Sequence, residues 1–342
     1  MTYDISKEIN DSRLFILGAG FSAAAGVPMT STVLDCAMRM CRVESTEFAE
    51  HLDEFARECF QIESGTPDYT ALDMAKFVTY LEYAALRELG GGDNWSELGS
   101  KPLLCLRYYL GKAITSATPS IEALPEVYVR FAKLLRPQSD LVITFNWDCV
   151  LELALRKIGK PYSYTSRDGH VVVEKLHGSV NWRRRLPPGE GYRHTVAWSP
   201  VGFGRNGELY FSDDLLSLSR WPVYNLGLDI QPLIVMPGFG KAYDVRAIAP
   251  LWYKKYVDWA MTGDAYIIGK GLPEDDFFVR SWFLESLPYI STRREDLPRR
   301  ALVIDPGPGI RSQYEFALKN PLVQIVPEPF SIEHVERIAT RT

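Results

Sequence analysis

The chain is expected to form an α/β fold: a Rossmann-like parallel sheet with helices on both faces, plus a helical insertion and a small irregular insertion. Three observations predict it. Short apolar runs alternate with amphipathic stretches through the second half of the chain, the pattern of parallel strands joined by crossover helices. A glycine turn, Gly18-Ala19-Gly20, stands between the first apolar run and an alanine-rich stretch. From there to Pro137 no convincing strand occurs.

Taken in order, RLFIL (Arg13 to Leu17) reads as a buried strand entering that turn, and FSAAAG (Phe21 to Gly26) starts a helix. Thr70 can cap a helix that carries Met74, Phe77, Leu81 and Ala85 on one face. Gly90-Gly91-Gly92-Asp93-Asn94 is a break, after which Pro102 to Ile114 and Ile121 to Leu135 are helical. Strands return at Leu141 to Thr144 and Val171 to Leu176. The stretch from Arg183 to Asp229, rich in Gly, Pro and aromatics, predicts short strands and loops. Leu233 to Met236, Ala265 to Ile268, Ala301 to Ile304 and Val323 to Val326 are the later strands. The helices between and after them are Leu251 to Met261, Pro273 to Leu287, Tyr314 to Leu318 and Ile332 to Ile338. Residues 1–35 and 130–342 are thus read as the main domain, 36–129 as the helical insertion and 183–229 as the small strand and loop insertion.

Composition excludes several function classes. Among 342 residues, no run of eighteen apolar residues predicts a membrane span, and the acid-bearing N-terminus lacks a signal-peptide core. A cytoplasmic location follows as the expectation. The net charge of -5 gives no general pull toward nucleic acid, so no direct nucleic-acid binding is expected. Cys36, Cys41, Cys59, Cys105 and Cys149 form no C-x-x-C pair, which argues against a structural zinc site, and their odd number and the expected cytoplasmic setting argue against a disulfide framework. No metal is expected.

The chemistry concentrates at three places. LGAGFSAAAGVP holds G-x-G-x-x-A at Gly18, Gly20 and Ala23, between strand and helix. Such glycines let backbone approach a pyrophosphate, which a helix N-terminus then favours; the alternative is a tight turn with no ligand. A dinucleotide dehydrogenase would add a second strand ending in an acid about 20 residues on. Here that region reads as helix, with Asp35 inside it, which weakens hydride transfer. LVITFNWDC puts Asn146 and Asp148 just past a buried strand, and KLHGS puts His177 at the end of another. The carboxyl ends of parallel strands line the ligand crevice. Asn146 and Asp148 can instead cap the following helix, and His177 can be a core histidine. Arg183-Arg184-Arg185 is read as a solvated charge run, with phosphate or an acidic partner surface as the alternative. Trp147 and Trp182 are read as packing residues.

GAGFSAAAGVP, TFNWD and KLHGS, in that order, resemble the three core motifs of the sirtuin superfamily. The likeness is greatest to its bacterial sirtuin-like branch of NAD hydrolases, which often act in defence against phage. IIGKGLPEDD and VIDPGP fit the later nucleotide-contacting segments, so the motifs span residues 18 to 308. Protein-deacylating members continue the first motif into a G-I-P-D-F-R-like run. Here Gly26-Val27-Pro28-Met29-Thr30 lacks the aromatic and the arginine, and the four-cysteine zinc module is missing. Both departures put deacylation in doubt and leave NAD binding and nicotinamide release intact.

The resemblance implies NAD as substrate and a catalytic set of His177, Asn146 and Asp148. Gly18, Ala19, Gly20, Phe21 and Ser22 would bind the pyrophosphate, with Thr144 in the same cofactor-binding set. Gly269 and Asp305 would face the adenosine side; Asp305 can equally serve the turn before Pro306. Asn146 would orient the ribose hydroxyls or the water. His177 would accept a proton, a task suited to an imidazole of ordinary pKa about 6.5. Asp148 would support the site electrostatically or brace its turn. Control by homo-oligomerisation or by a separate regulatory or sensor protein is expected of such a hydrolase. Two other readings stand beside it: NAD-dependent deacylation or ADP-ribosyl transfer, and a non-catalytic sensor of NAD or ADP-ribose.

Overall fold

The computed structural model describes residues 12–87, 95–96, 99–166, 168–185, 208–216, 218, 232–238, 248, 264–272, 300–318 and 323–340. The chain divides into two compact units. One comprises Met1–Val27, Pro119–Leu176 and Ile248–Thr342; the other comprises Pro28–Thr118 and His177–Ala247.

The first unit is built on a seven-stranded parallel sheet. With strands numbered along the chain, it holds β1 (Leu14–Leu17), β4 (Leu141–Thr144), β5 (Tyr162–Ser163), β6 (Val171–Lys175), β11 (Ala265–Ile268), β12 (Ala301–Ile304) and β13 (Val323–Val326). Their order across the sheet is β13-β12-β11-β1-β4-β6-β5. Every residue of β1, β4, β6, β11 and β12 is buried, as a sheet covered on both faces requires. The edge strand β13 exposes Gln324 and buries only Val326.

Successive strand residues point to opposite faces. Leu14 and Ile16 of β1 share one core with Ile143, Ile267, Val303, Ile310 and Tyr314, so the helix Ile310–Leu318 covers that face. Phe15, on the other face, meets Phe131 edge-on at 5.4 Å and stacks on Tyr266 at 5.1 Å, which places the helix Glu126–Leu134 there. That helix starts at Glu126 rather than at Ile121 because Pro125 occupies its N-cap position, and the residue before a proline disfavours the helical region. At the amino ends of β1 and β4, Arg13 grips both oxygens of buried Asp140, Nε to Oδ1 at 3.0 Å and Nη2 to Oδ2 at 2.5 Å. This bidentate pair ties the two strands at the end away from the glycine turn.

In the second unit, the described helices are Thr30–Glu44, Thr46–Phe60, Met74–Arg87 and Lys101–Ala117. Strands β2 (Trp95–Ser96) and β3 (Gly99–Ser100) form a two-residue hairpin. Strand β7 (Gly178–Ser179) pairs with β10 (Leu233–Ile234), and β8 (Trp182–Arg185) with β9 (Glu208–Phe211), all antiparallel. Most of residues 36–129 and all of 183–229 belong to this unit. Cys41 and Cys105 pack Sγ to Sγ at 3.9 Å, both buried and not disulfide-bonded.

Several local expectations change. The helix from Met74 is capped by Asp73, whose Oδ1 accepts the Lys76 N–H at 3.0 Å, and not by Thr70, whose hydroxyl bonds Asp68. Helix after the glycine turn is short: Ala19–Ser22, then one 3-10 turn at Ala23–Ala25, stopped by Gly26 at φ 80. Arg183 is not solvated: it is buried in β8, and its Nη1 donates to the carbonyls of Val180 and Trp182. Trp182, by contrast, is the packing residue expected, buried with its ring 5.0 Å from that of Phe211. The expected helices Leu251 to Met261 and Pro273 to Leu287 lie outside the described residues. Among the described residues no helix is long and apolar enough to cross a membrane.

Candidate active site

Strand order reverses at β1. The chain lays down β4, β6 and β5 on one side of it, then returns to lay down β11, β12 and β13 on the other. Open α/β sheets bind ligands at such a switch point, outside the carboxyl ends of the strands. Here the switch point lies between β1 and β11, where the glycine turn leaves one strand and Gly269-Lys270 leaves the other.

These two turns interlock through backbone. The Gly18 N–H donates to the Ile268 carbonyl and the Gly20 N–H to the Gly269 carbonyl, each at 3.0 Å. A Cβ on Gly18 would lie 2.4 Å from the Gly269 carbonyl oxygen, and one on Gly20 would lie 2.7 Å from the Gly269 Cα. Gly269 has φ +63, and a Cβ there would stand 2.2 Å from the Phe21 nitrogen. Close approach explains all three glycines, but the approaching group is the neighbouring turn of the protein. The glycine spacing is accounted for without a ligand.

Asn146, just past β4, ties this turn to the middle of the sheet. Its Nδ2 donates to the Gly18 carbonyl at 2.9 Å and to Ser22 Oγ at 3.1 Å. A carbonyl only accepts, so the amide nitrogen must face Gly18, and accepting through Oδ1 is the chemistry left to the carboxamide. Thr144 Oγ1 accepts the Asn146 N–H at 3.1 Å and so braces the same residue. Ser22 is fully buried, and its hydroxyl also bonds Asp148. Gly18, Ser22, Thr144, Asn146 and Asp148 therefore form one hydrogen-bonded network.

Asp148 Oδ1 accepts the Val150 N–H at 3.0 Å, bracing the entry to the helix Val150–Lys157. Burial pushes its carboxyl up from the ordinary range, against the lowering pull of Lys175, the Val150 N–H and Ser22. Beneath it lies an ion pair that the motifs do not announce. Lys175 Nζ donates to Glu152 Oε1 at 2.9 Å and also to the Asp148 carbonyl, with both side chains 1% exposed. Tyr164 OH donates to the same Glu152 oxygen at 3.1 Å. Burial alone would lower the Lys175 pKa; Glu152, Cys149 and Asp148 outweigh it, and the ammonium is held above its usual value.

Across the switch point, Asp305 follows β12. Its Oδ1 accepts the Gly307 N–H at 2.7 Å, and burial raises its carboxyl against the pull of that N–H and of the Lys270 ammonium. Lys270 is itself buried, its Nζ 4.7 Å from the Phe145 ring centre, and its carbonyl accepts from Tyr314 OH at 2.5 Å. The Phe21 side chain packs in an aromatic core with Tyr128, Phe131 and Phe330, and Tyr128 OH donates to the Phe21 carbonyl at 2.8 Å.

Gly18 to Ser22, Thr144, Asn146, Asp148, Gly269 and Asp305 are thus gathered at the carboxyl ends of β1, β4, β11 and β12. His177 begins the second of the two stretches that make up the second unit, one residue past Leu176, whose N–H donates to the Thr144 carbonyl at 3.0 Å. The His177 carbonyl accepts the Val235 N–H at 2.8 Å. Lys175, Glu152 and Lys270 are the residues that motif reading misses. The signal for the two lysines is their position: at or just past the end of a strand buried on both faces, a charge needs a partner or a task. Among the described residues no group of three or more metal-ligating side chains is gathered.

No protein-family model and no curated protein matches the chain. Solved structures similar to it include Sir2Tm bound to a propionylated peptide, 14% identical, with 100% of this chain and 98% of that one covered at a TM-score of 0.43. A Sir2–p53 peptide–NAD+ complex is also 14% identical, with 100% and 98% covered at a TM-score of 0.42. Sir2 in complex with the inhibitor EX-527, 2'-O-acetyl-ADP-ribose and deacetylated p53 peptide is 14% identical, with 99% and 97% covered at 0.40.

Proposed function

We propose that the chain is an NAD+ hydrolase that cleaves the bond between nicotinamide and ribose to give nicotinamide and ADP-ribose. What supports this reading is that Asn146, Asp148, the glycine turn and Asp305 all follow the carboxyl ends of strands on the two sides of one switch point, with Asn146 bonded to the turn. The nicotinamide of NAD+ departs with the electron pair of its glycosidic bond and becomes neutral, so no general acid is needed. Positive charge develops on the ribose, as in glycoside hydrolysis. Water then forms the new bond to the anomeric carbon and gives up a proton. Asn146 Oδ1 is the acceptor proposed for the ribose hydroxyls or that water. His177, which follows β6 in the sequence, is the proposed proton acceptor.

Asp148 is the proposed electrostatic support. A carboxylate about 4 Å from a cation at an effective dielectric of about 20 contributes roughly 4 kcal/mol, on the order of a thousandfold in rate. Its raised pKa reduces that help as the pH falls. Positioning must therefore supply much of the acceleration, and a hydrogen-bonded network anchored on interlocked turns suits that role.

The motif resemblance extends the proposal to an effector of bacterial anti-phage defence that depletes NAD, held in check by homo-oligomerisation or by a separate regulatory protein. The test is nicotinamide release from NAD+ by the full chain across protein concentrations. His177→Ala and Asn146→Ala are expected to abolish release in folded protein; unchanged turnover in either would sink the assignment. Release that requires an added acyl-peptide would establish deacylation instead, and NAD binding without turnover would establish a sensor.

A further inference from the structure

The geometry points to Lys270 as the residue that neutralises the pyrophosphate of a bound nucleotide at this switch point. The inference deepens the nucleotide reading above and rests on it. Three observations carry it. The first is place: Lys270 leaves β11 at the switch point, and its Cα and Cβ press on Gly18, 2.7 and 2.8 Å from where a Cβ of that residue would stand. Its ammonium lies 4.7 Å from the ring centre of Phe145, which follows β4 on the far side of β1. The side chain therefore spans the carboxyl end of β1, over the glycine turn.

The second is what the turn has already spent. The N–H groups of Gly18, Gly20 and Phe21 donate to the carbonyls of Ile268, Gly269 and Gly18. A nest of backbone donors at a glycine turn is the usual cradle for phosphate, and here three of its members serve the protein. The third is charge. Asp148 and Asp305 stand at this end of the sheet and disfavour an anion. Lys175 is committed to Glu152 and to the Asp148 carbonyl. A dianionic pyrophosphate is favoured by a cation, and among the described residues Lys270, which also faces the Phe145 ring and Asp305, stands over the glycine turn. The ligand class is a nucleoside diphosphate or dinucleotide, held through its phosphates rather than its base.

The test is titration calorimetry of the full chain with ADP, ADP-ribose and adenosine, on the wild type, Lys270→Met, Lys270→Arg and Lys270→Gln. The wild type is expected to bind ADP more tightly than adenosine. Lys270→Met should weaken ADP and ADP-ribose about ten- to a hundredfold, the range of a lost charged hydrogen bond, and leave adenosine unchanged. Lys270→Arg, which keeps the charge, should hold ADP closer to wild type, and Lys270→Gln, which removes the charge but keeps a polar head, carries the test if the methionine variant does not fold. ADP affinity unaltered by loss of the charge, or adenosine and ADP weakened alike, overturns the inference. NAD+ cleavage with an unaltered KM in Lys270→Met removes the inference and leaves the hydrolase reading. Charge-dependent ADP binding without NAD+ cleavage does the reverse. A wild type that binds none of these ligands overturns both.

Discussion

Consider removing the buried ammonium beneath the site by Lys175→Met. Lys175 and Glu152 are each 1% exposed and 2.9 Å apart, so the substitution strands a carboxylate in the core that, among the described residues, keeps the Tyr164 OH as a donor. Breaking a buried pair from one side costs about 3–5 kcal/mol. Glu152→Gln strands the ammonium instead and should cost a similar amount, while its amide oxygen keeps the Tyr164 bond. In the double variant neither charge of the pair remains, although Asp148 loses the pull of the Lys175 ammonium. What is lost is the donor to the Asp148 carbonyl, worth about 1–3 kcal/mol as an unsatisfied buried acceptor. The cycle should therefore close with a coupling of about 3 kcal/mol or more, the double variant being more stable than either single one. Urea unfolding followed by far-UV circular dichroism measures all four proteins, with unchanged m values as the check that compactness is the same. Additive effects, or single variants within about 1 kcal/mol of wild type, would show that the pair is hydrated and that the network around Asp148 does not depend on it.

Two other outcomes follow from the geometry. Gly269→Ala puts a Cβ 2.2 Å from the Phe21 nitrogen at φ +63, so the interlocked turns must part. About 2–4 kcal/mol of destabilisation is expected in thermal melts, and a loss within about 0.5 kcal/mol would refute the close approach. At the last helix, Ile332–Ala339, His334 Nδ1 accepts the Ser331 N–H at 3.1 Å, which requires the neutral ring. Burial, aided by Arg337, lowers its pKa against the pull of Glu328 and Glu333. A base whose folded pKa is depressed contributes stability that is present above its ordinary pKa of about 6.5 and lost as pH falls through the lower folded value. Stability should drop by about 1 kcal/mol on acidification through that window. His334→Gln, which keeps an acceptor at the same place, should flatten the drop in a pH series of melts; an unchanged slope would count against the cap.

The sheet was legible because strands buried on both faces leave unbroken apolar runs: LFIL, LVIT, AYII and ALVI all stand where periodicity puts them. Strand order was legible only as far as parallel pairing, since periodicity does not say on which side of β1 a later strand is laid. The charges were the least legible part. Three consecutive arginines look like a solvated face, yet Arg183 is buried with its guanidinium on local carbonyls. Lys175 sits between an apolar strand and His177 and takes its meaning from Glu152, distant in sequence by 23 residues. Pairings of that kind depend on tertiary contact and leave no local pattern.

The glycine turn changes most between the two views. Its spacing suggests a cradle for phosphate, and its backbone is used by the protein. The same substitution of purpose runs through the network: Asn146 holds Gly18 and Ser22, Ser22 holds Asp148, and Asp148 receives Lys175 at its carbonyl. The structural duty of these motif residues is the one their hydrogen bonds show, and the catalytic duty is the one proposed for them. It follows that loss of turnover alone in Asn146→Ala would not separate chemistry from architecture. Asn146→Asp would. It keeps an acceptor for the ribose but removes the donor to Gly18, so a defect confined to stability would assign Asn146 to the frame. A folded variant that still binds NAD+ but turns it over slowly would assign it to the reaction.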